Sequence, residues 1–517
     1  MSGWGRRVGA LPIAGVTVTL MALIAMWEDN LRQLPVEGAI PTLAAAAAIA
    51  GVTVVAFRPL AGSWMRAGLF SGLFAIYLFY VPALLRALPL QNWALVAIYA
   101  LITALIIFVG RRIPAEHNRL WTLNSRINLL CLILLVWTVA PVTVKLISLS
   151  QARSQATAAL PDFDGHAAQG SPDVWHILLD RYASVETFES TYSYDNRPFV
   201  EQLRRRGFVV QDHAFGNYQR TGHSVASTMN GVLLDPLSDI MRDQPNDWVP
   251  IYRLMRNGAA IRFFGNQGYR TVFAGSWWEP TRFSNAADES MKIRAMPQLA
   301  RMAISKSAIG LWTGGLSLPY LDGRSDQCFR ANEKFRRLRL LAAEPGRKYV
   351  FAHFLVPHPP FVLNSDGSCR SIRAAKAASR RDNYVAQVDF ANREVLSLID
   401  AIRAAKRPAV IVLHSDEGPW PAPYIGNEHG LGTDRVSVPW TELPPKSLRE
   451  KMAILLAVRG PDGAPPTMPT SPVQIYPAIL HDFFGSARPL PPSRHYIFES
   501  DDQLYRFREV SGKLAQR

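Results

Sequence analysis

The chain is 517 residues long, 49% hydrophobic, and carries a formal net charge of +15. Three cysteines are too few for a disulfide framework or a cysteine-rich metal site. The arginine excess lies between apolar stretches and forms no basic stripe interleaved with aromatics, which sets nucleic acid aside as a partner.

Five apolar stretches, about Val8–Trp27, Val36–Phe57, Ala67–Leu85, Trp93–Gly110 and Ile127–Ile147, are long enough to cross a hydrocarbon core of roughly 30 Å as helices. Trp64 and Trp93 fall near their expected interfaces with water. Arg6, Arg7, Arg58, Arg66, Arg111, Arg112, Arg119 and Arg126 flank one side of these spans, against Arg32 and Arg86 on the other. The positive-inside rule then predicts a multi-pass protein of the cytoplasmic membrane with its N-terminus in the cytoplasm. After an odd number of spans, everything beyond residue 147 is extracytoplasmic. Residues 148–170 are small, polar and aperiodic, and read as a linker.

From residue 171 to about 500, short apolar runs alternate with helical segments, the pattern of an α/β domain, and 501–517 is left as a C-terminal tail. Strands are expected at Val174–Leu179, Thr271–Ala274, Tyr349–Phe354, Val410–Leu413 and Ala453–Val458, and helices at Arg197–Arg206 and Asp382–Ala405. In such sheets ligands bind beyond the carboxyl ends of the strands. Three strand ends carry chemistry: Asp180 in HILLDRYAS, His358 in FLVPHPPF, and Asp416 with Glu417 in VLHSDEG. Carboxylates brought to one edge from remote parts of the chain suit a hard or borderline cation. His353 and His414 lie inside strands and are read as core or supporting residues. Cys131 lies in an apolar span, while Cys328 and Cys369 either pair in an oxidising compartment or remain two thiols.

Taken in order, HILLDRYAS (176–184), FGNYQRTGHSVASTMNG (215–231), FAHFLVPHPPF (351–361) and VLHSDEG (412–418) resemble the motifs of sulfatase-like membrane proteins of the alkaline-phosphatase superfamily. Lipoteichoic acid synthases and phosphoethanolamine transferases are the members most similar to this pattern. The resemblance implies an alkaline-phosphatase/sulfatase-like central sheet flanked by helices, preceded by a five-helix transmembrane bundle. It carries Asp180, Thr221 and Asp416 over as metal ligands, Thr221 as nucleophile, and His358 as a contact to the transferred group.

Two departures qualify that reading. The sulfatase nucleophile motif Cys-x-Pro-Ser-Arg is absent; Thr221 stands at its first position and Ser224 at its fourth. A threonine there points to phosphodiester rather than sulfate-ester chemistry, although it also fits a simple helix-capping residue. The family's Asp-His-Gly is Asp416-Glu417-Gly418 here, so Glu417 is the fourth expected ligand, and an all-oxygen site shifts preference from Zn toward Mn, Mg or Ca. His429 is read as a surface residue, with replacement of the missing imidazole as the alternative. Trp278 and Arg282, in GSWWEPTRF, match loosely an aromatic and an arginine near the substrate head group.

The expected partner is a membrane lipid or an envelope glycan. The rival readings are a sulfuric-ester hydrolase, and a catalytically degenerate envelope protein that binds an anionic glycan.

Overall fold

The computed structural model describes residues 9–86, 92–313, 316, 318–424, 438–464 and 466–515. The chain divides into two compact units, Met1–Gln151 with Met296–Leu321, and Ala152–Ala295 with Asp322–Arg517.

The first unit is helical: α1 (Ala14–Glu28), α2 (Val36–Ala61), α3 (Trp64–Arg86), α4 (Asn92–Arg112) and the first part of α5 (His117–Ala158). Over their described residues the five apolar stretches are helical, except for Leu11–Ile13 in the first. Of these helices α2, α3 and α5 are long and apolar enough to cross a membrane. α1 to α3 pack through small residues: a Cβ on Gly15 would meet Ser71 Oγ at 2.0 Å, and one on Gly68 the Pro12 backbone at 2.5 Å. Such residues let apolar helices approach closely where no hydrophobic difference from lipid drives them together. Cys131 is buried in this core.

Two segments depart from the expected boundaries. Residues 148–158 continue α5, and Arg153 is buried in the second unit, where its guanidinium bonds both Asp247 oxygens at 2.7 and 3.0 Å. The missing apolar periodicity that read as a linker reflects a helix held by an ion pair. Residues 296–321, expected inside the α/β domain, pack with the N-terminal helices because α7 (Gln298–Lys306) buries Leu299 and Ala303 in their apolar clusters.

The second unit is built on a seven-stranded mixed sheet of β1 (Asp173–Leu179), β2 (Val209–Val210), β3 (Arg270–Ala274), β4 (Glu289–Ser290), β5 (Lys348–Phe354), β6 (Ala409–His414) and β7 (Leu456–Arg459). Its order is β2-β7-β6-β1-β5-β3-β4. β4, β3, β5, β1 and β6 run parallel, and β7 and β2 complete one edge with antiparallel pairings. The central strands are buried along their whole length, as parallel strands covered on both faces must be. α9 (Gly323–Ala343) and α10 (Arg380–Ala404) supply one covering layer, and α6 (Thr221–Asn230) lies among the residues that cover the other.

The expected strand Ala453–Val458 is broken. Ala453–Ile454 pairs with Ala214–Phe215 in a separate ribbon, and only Leu456–Arg459 joins the main sheet. The expected tail is packed as well: Arg508–Glu509 pairs with Tyr496–Ile497, and Leu504, Val510 and Leu514 are buried.

Cys328, on α9, and Cys369 form a disulfide with their Cα atoms 5.6 Å apart, which decides the alternative left open by the sequence. The bridge closes a loop of 41 residues, for which chain entropy gives a stabilisation of about 4 kcal/mol. Replacing both cysteines by alanine is expected to lower the denaturation free energy by about that amount in a denaturant titration. An unchanged midpoint would show that the loop is already held by its other contacts.

Candidate metal and nucleophile site

The five parallel strands bring their carboxyl ends to one edge of the sheet. Asp180 follows β1, Asp416 and Glu417 follow β6, and His358 lies four residues beyond β5. One carboxylate oxygen from each of Asp180, Asp416 and Glu417 lies within 4.8 Å of the others, and all three residues are buried. Thr221, from a distant part of the chain, places its side chain beside the Asp416 carboxylate, where it favours the charged form.

The turn after β6 is fixed from several sides. Ser224 Oγ donates to Asp416 O at 2.7 Å, Ser415 Oγ to Glu417 O at 2.6 Å, and the Gly418 amide to Lys451 O at 2.7 Å. Gly216 is required by closeness: a Cβ there would stand 2.7 Å from Asp416 O. The β1 end is tied to the same turn, with the Arg181 amide donating to Asp416 Oδ1 at 3.2 Å and the Tyr182 amide to Ser415 Oγ at 2.9 Å. Arg181 occupies the left-handed region at φ 61°, a conformation that costs a non-glycine residue energy and that clusters at functional sites.

Beneath the turn runs a buried hydrogen-bond chain. A carbonyl only accepts, so His414 Nδ1 donates to Ser415 O at 2.9 Å. His414 Nε2 then accepts from His176 Nε2 at 2.6 Å, and His176 Nδ1 accepts from Tyr476 OH at 2.6 Å. His414 is therefore a supporting residue, as its place in a strand suggested. His353 differs: its Nδ1 lies 3.0 Å from Thr281 Oγ1, while its Nε2 is buried without a hydrogen-bond partner 3.4 Å from Asp180 Oδ2, at the edge of the carboxylate cluster.

The electrostatics are those of carboxylates held together away from water. Burial, followed by the charge of Glu417, pushes Asp180 up to about 7. Asp416 is pushed well above the usual range by burial and then by Asp180 and Glu417. Among the described residues, Asp180 Oδ1, Asp416 Oδ2 and Glu417 Oε2 are buried without a hydrogen-bond partner. Buried polar atoms are rarely left so, and three negative ones in one place fit a divalent cation. The three carboxylates by themselves match Mg, Mn or Ca better than Zn, whereas the unpartnered His353 Nε2 beside Asp180 is a nitrogen donor of the kind Zn accepts.

Glu417 does more than the sequence implied. Its Oε1 accepts from Arg181 Nε at 3.1 Å and forms an ion pair with Lys451 Nζ at 2.7 Å, while Oε2 is buried without a hydrogen-bond partner. Arg181 and Lys451 were missed in the sequence. Arg181 directly follows Asp180 in sequence, whereas Lys451 has no local signal; it lies in the last turn of the helix α11 (Pro445–Met452), which only the tertiary fold brings here. Arg181, Arg220 and Lys451 all lie against the Trp420 ring, at 5.3, 5.1 and 5.3 Å from its centroid. The edge thus sets three cations around three carboxylates.

Thr221 is the first residue of α6, with Arg220 in the capping position, so its hydroxyl is not serving as the helix cap. It is half-buried and lies at the positive end of the helix dipole, which favours negative charge at its oxygen. His223 anchors the same turn from behind, donating from Nε2 to Leu504 O at 3.0 Å. His358 is half-buried, its Nδ1 donates to the Pro359 carbonyl, and the Val356–Pro357 and Pro359–Pro360 bonds on either side are cis. Burial, and then Arg181, hold His358 well below the usual imidazole range, so it is neutral with Nε2 unprotonated.

Trp278 and Arg282 stand on a different loop. Trp278 packs edge-on against Tyr252, and the Arg282 guanidinium is bound to both Glu279 oxygens at 2.9 and 3.0 Å. His429 lies outside the described residues.

No family model and no curated protein matches this sequence. Among solved structures, this chain is similar to the C-terminal periplasmic domain of EcEptC from Escherichia coli, at 12% identity and a TM-score of 0.42. That match covers 69% of this chain and 97% of that one. The same domain in complex with Zn matches at 12% identity and a TM-score of 0.42, over 68% and 96% of the two chains. A protein in the alkaline phosphatase superfamily from Vibrio parahaemolyticus is similar at 11% identity and a TM-score of 0.38, over 68% and 81%.

Proposed function

We propose that this chain is a membrane-anchored, metal-dependent hydrolase or group transferase of the alkaline-phosphatase type, acting on a phosphodiester such as a lipid head group or a glycan substituent. The observation that carries the reading is the meeting of Thr221 with three buried carboxylates, each with an oxygen left unpartnered. Asp180, Asp416 and Glu417, with Thr221 beside them, would hold the cation. Bound there, a divalent ion lowers the pKa of the threonine hydroxyl and offsets the charge on the phosphoryl oxygens.

The protein groups account for the rest. The Thr221 side chain lies beside Asp416, a carboxylate able to take its proton. The bond from Thr221 Oγ to phosphorus forms as the bond to the departing alcohol oxygen breaks, and the proton held at Asp416 ends on that oxygen. In the second half, water or an acceptor hydroxyl attacks the phosphothreonine as the bond from phosphorus to Thr221 Oγ breaks; the neutral His358 Nε2 is suited to take the attacking group's proton, the departing Thr221 oxygen regains a proton from solvent, and His358 returns its own to solvent. Arg181 and Lys451 keep Glu417 in place and, with Arg220, make the edge favourable to an anionic substrate.

The chain sits in the cytoplasmic membrane as a five-span protein with a cytoplasmic N-terminus, and the second unit faces outward. The arginine asymmetry of the loops supports this, and so does the disulfide, which belongs to an oxidising compartment.

Full-length protein supplied with manganese is expected to cleave an aryl phosphodiester and to leave an aryl sulfate untouched. The reverse selectivity would move the reading to a sulfuric-ester hydrolase. Inertness toward both, with anionic glycan binding that survives loss of Asp180 and Asp416, would make it a binding protein.

A further inference from the structure

Residues 296–321 leave the α/β unit and pack within the helical one. α7 buries Leu299 among Ile24, Trp27 and Leu31, and Ala303 against Ala22 and Leu23. Its C-terminal carbonyls, Ser305 O and Lys306 O, accept from the Arg86 guanidinium at 2.9 and 2.8 Å, a cation where the helix end is negative. Arg86 is the last residue of α3, so this point marks the level of that helix end.

From there the chain runs down along α3. In α8 (Ala308–Thr313) the Trp312 ring lies 5.8 Å from that of Tyr77, nine positions before Arg86 in α3. At the helical rise this is about 13 Å inside the helix end. Tyr77 in turn meets Tyr99 of α4 at 5.2 Å, seven positions beyond the start of that helix, which gives a depth of about 10 Å.

Yet the segment leaves its apolar side chains uncovered. Leu311 is 48% exposed, Trp312 53% and Leu316 53%, and Leu318 and Tyr320 are exposed as well. Large apolar groups in contiguous exposure mark a surface that meets another apolar phase. Described backbone beyond α8 is bonded in short turns: the Leu316 amide donates to Thr313 O at 2.9 Å, Leu318 to Leu316 O at 2.9 Å, and Leu321 to Leu318 O at 3.0 Å. Non-helical backbone at membrane depth needs internal partners of this kind.

We propose that the described residues of 307–321 belong to a re-entrant segment that dips from the α3 C-terminal surface into the adjoining leaflet and presents Leu311, Trp312, Leu316 and Leu318 to phospholipid acyl chains. The partner is the bilayer itself. The proposal rests on the helical unit being membrane-embedded and is independent of the enzymatic reading.

The test places a bimane label at single cysteines in the full chain, with Cys131→Ala as background, reconstituted in phosphatidylcholine vesicles containing lipid with a shallow doxyl group. Leu316→Cys and Leu318→Cys labels are expected to be quenched by the doxyl lipid and shielded at least threefold from aqueous iodide, relative to a label at Leu340→Cys on α9. A label at Val136→Cys, on an exposed position of α5, reads the bilayer directly. Leu316 and Leu318 labels that follow Leu340 while Val136 is quenched would overturn the proposal alone. Failure of Val136 too would overturn it together with the membrane reading. Both target side chains are exposed, and an intact Cys328–Cys369 bridge reports that each variant has folded.

Discussion

Thr221→Ala is expected to lower turnover of a phosphodiester substrate by on the order of 10⁴-fold or more, the scale seen when a covalent nucleophile is removed. The reason is local. Thr221 both opens a helix and lies beside a carboxylate of the cluster. Serine keeps the hydroxyl without the methyl group, so Thr221→Ser should recover a measurable part of the rate, and alanine none. The fold is not at stake, because the residue is half-buried and α6 is held by Ser224 and His223 instead. A substrate-dependent phosphothreonine trapped by rapid quench and located at residue 221 by mass spectrometry would confirm the role. Full activity in the alanine variant would remove Thr221 from the chemistry and return it to a structural part.

Asp416→Asn is expected to abolish high-affinity divalent-cation binding, and with it the thermal stabilisation that the cation gives the wild type. A ligand present at a hundred times its dissociation constant adds about 2.7 kcal/mol. Several degrees of cation-dependent shift in melting temperature should therefore be present in the wild type and absent in the variant. The metal-free comparison runs the other way. Three buried carboxylates repel one another, and an amide relieves part of that repulsion, so metal-free Asp416→Asn should melt at or above metal-free wild type. Loss of cation response without loss of basal stability distinguishes a ligand from a residue that merely holds the turn. A wild type whose melting temperature ignores manganese, magnesium and calcium alike would leave the degenerate reading standing. In that event Lys451 and Arg181 would be the permanent counter-charges of the cluster, a role that their contacts with Glu417 make physically sensible.

The sequence by itself determined a good deal about this protein. Apolar length placed the helices, because a helix that shields its backbone from hydrocarbon must be long and apolar throughout. Buried parallel strands announced themselves as short apolar runs, and β1, β3, β5 and β6 lie within a residue of their expected limits. Asp180, Asp416 and Glu417 were legible for the same reason: polar residues directly after such runs must lie at the sheet's carboxyl edge.

Other features had no local trace. Ala453–Val458 looked like one strand, yet it serves two sheets, since pairing partners are chosen by distant chain. Residues 148–158 lack an apolar stripe because an ion pair from Arg153 to Asp247 does the holding. Whether Cys328 meets Cys369, whether Lys451 reaches Glu417, and why 296–321 leaves its own domain were decided only by the tertiary structure. Composition and periodicity report how a segment meets solvent, lipid or core; which remote side chain completes a charge or covers an apolar face is set by where the whole chain comes to rest.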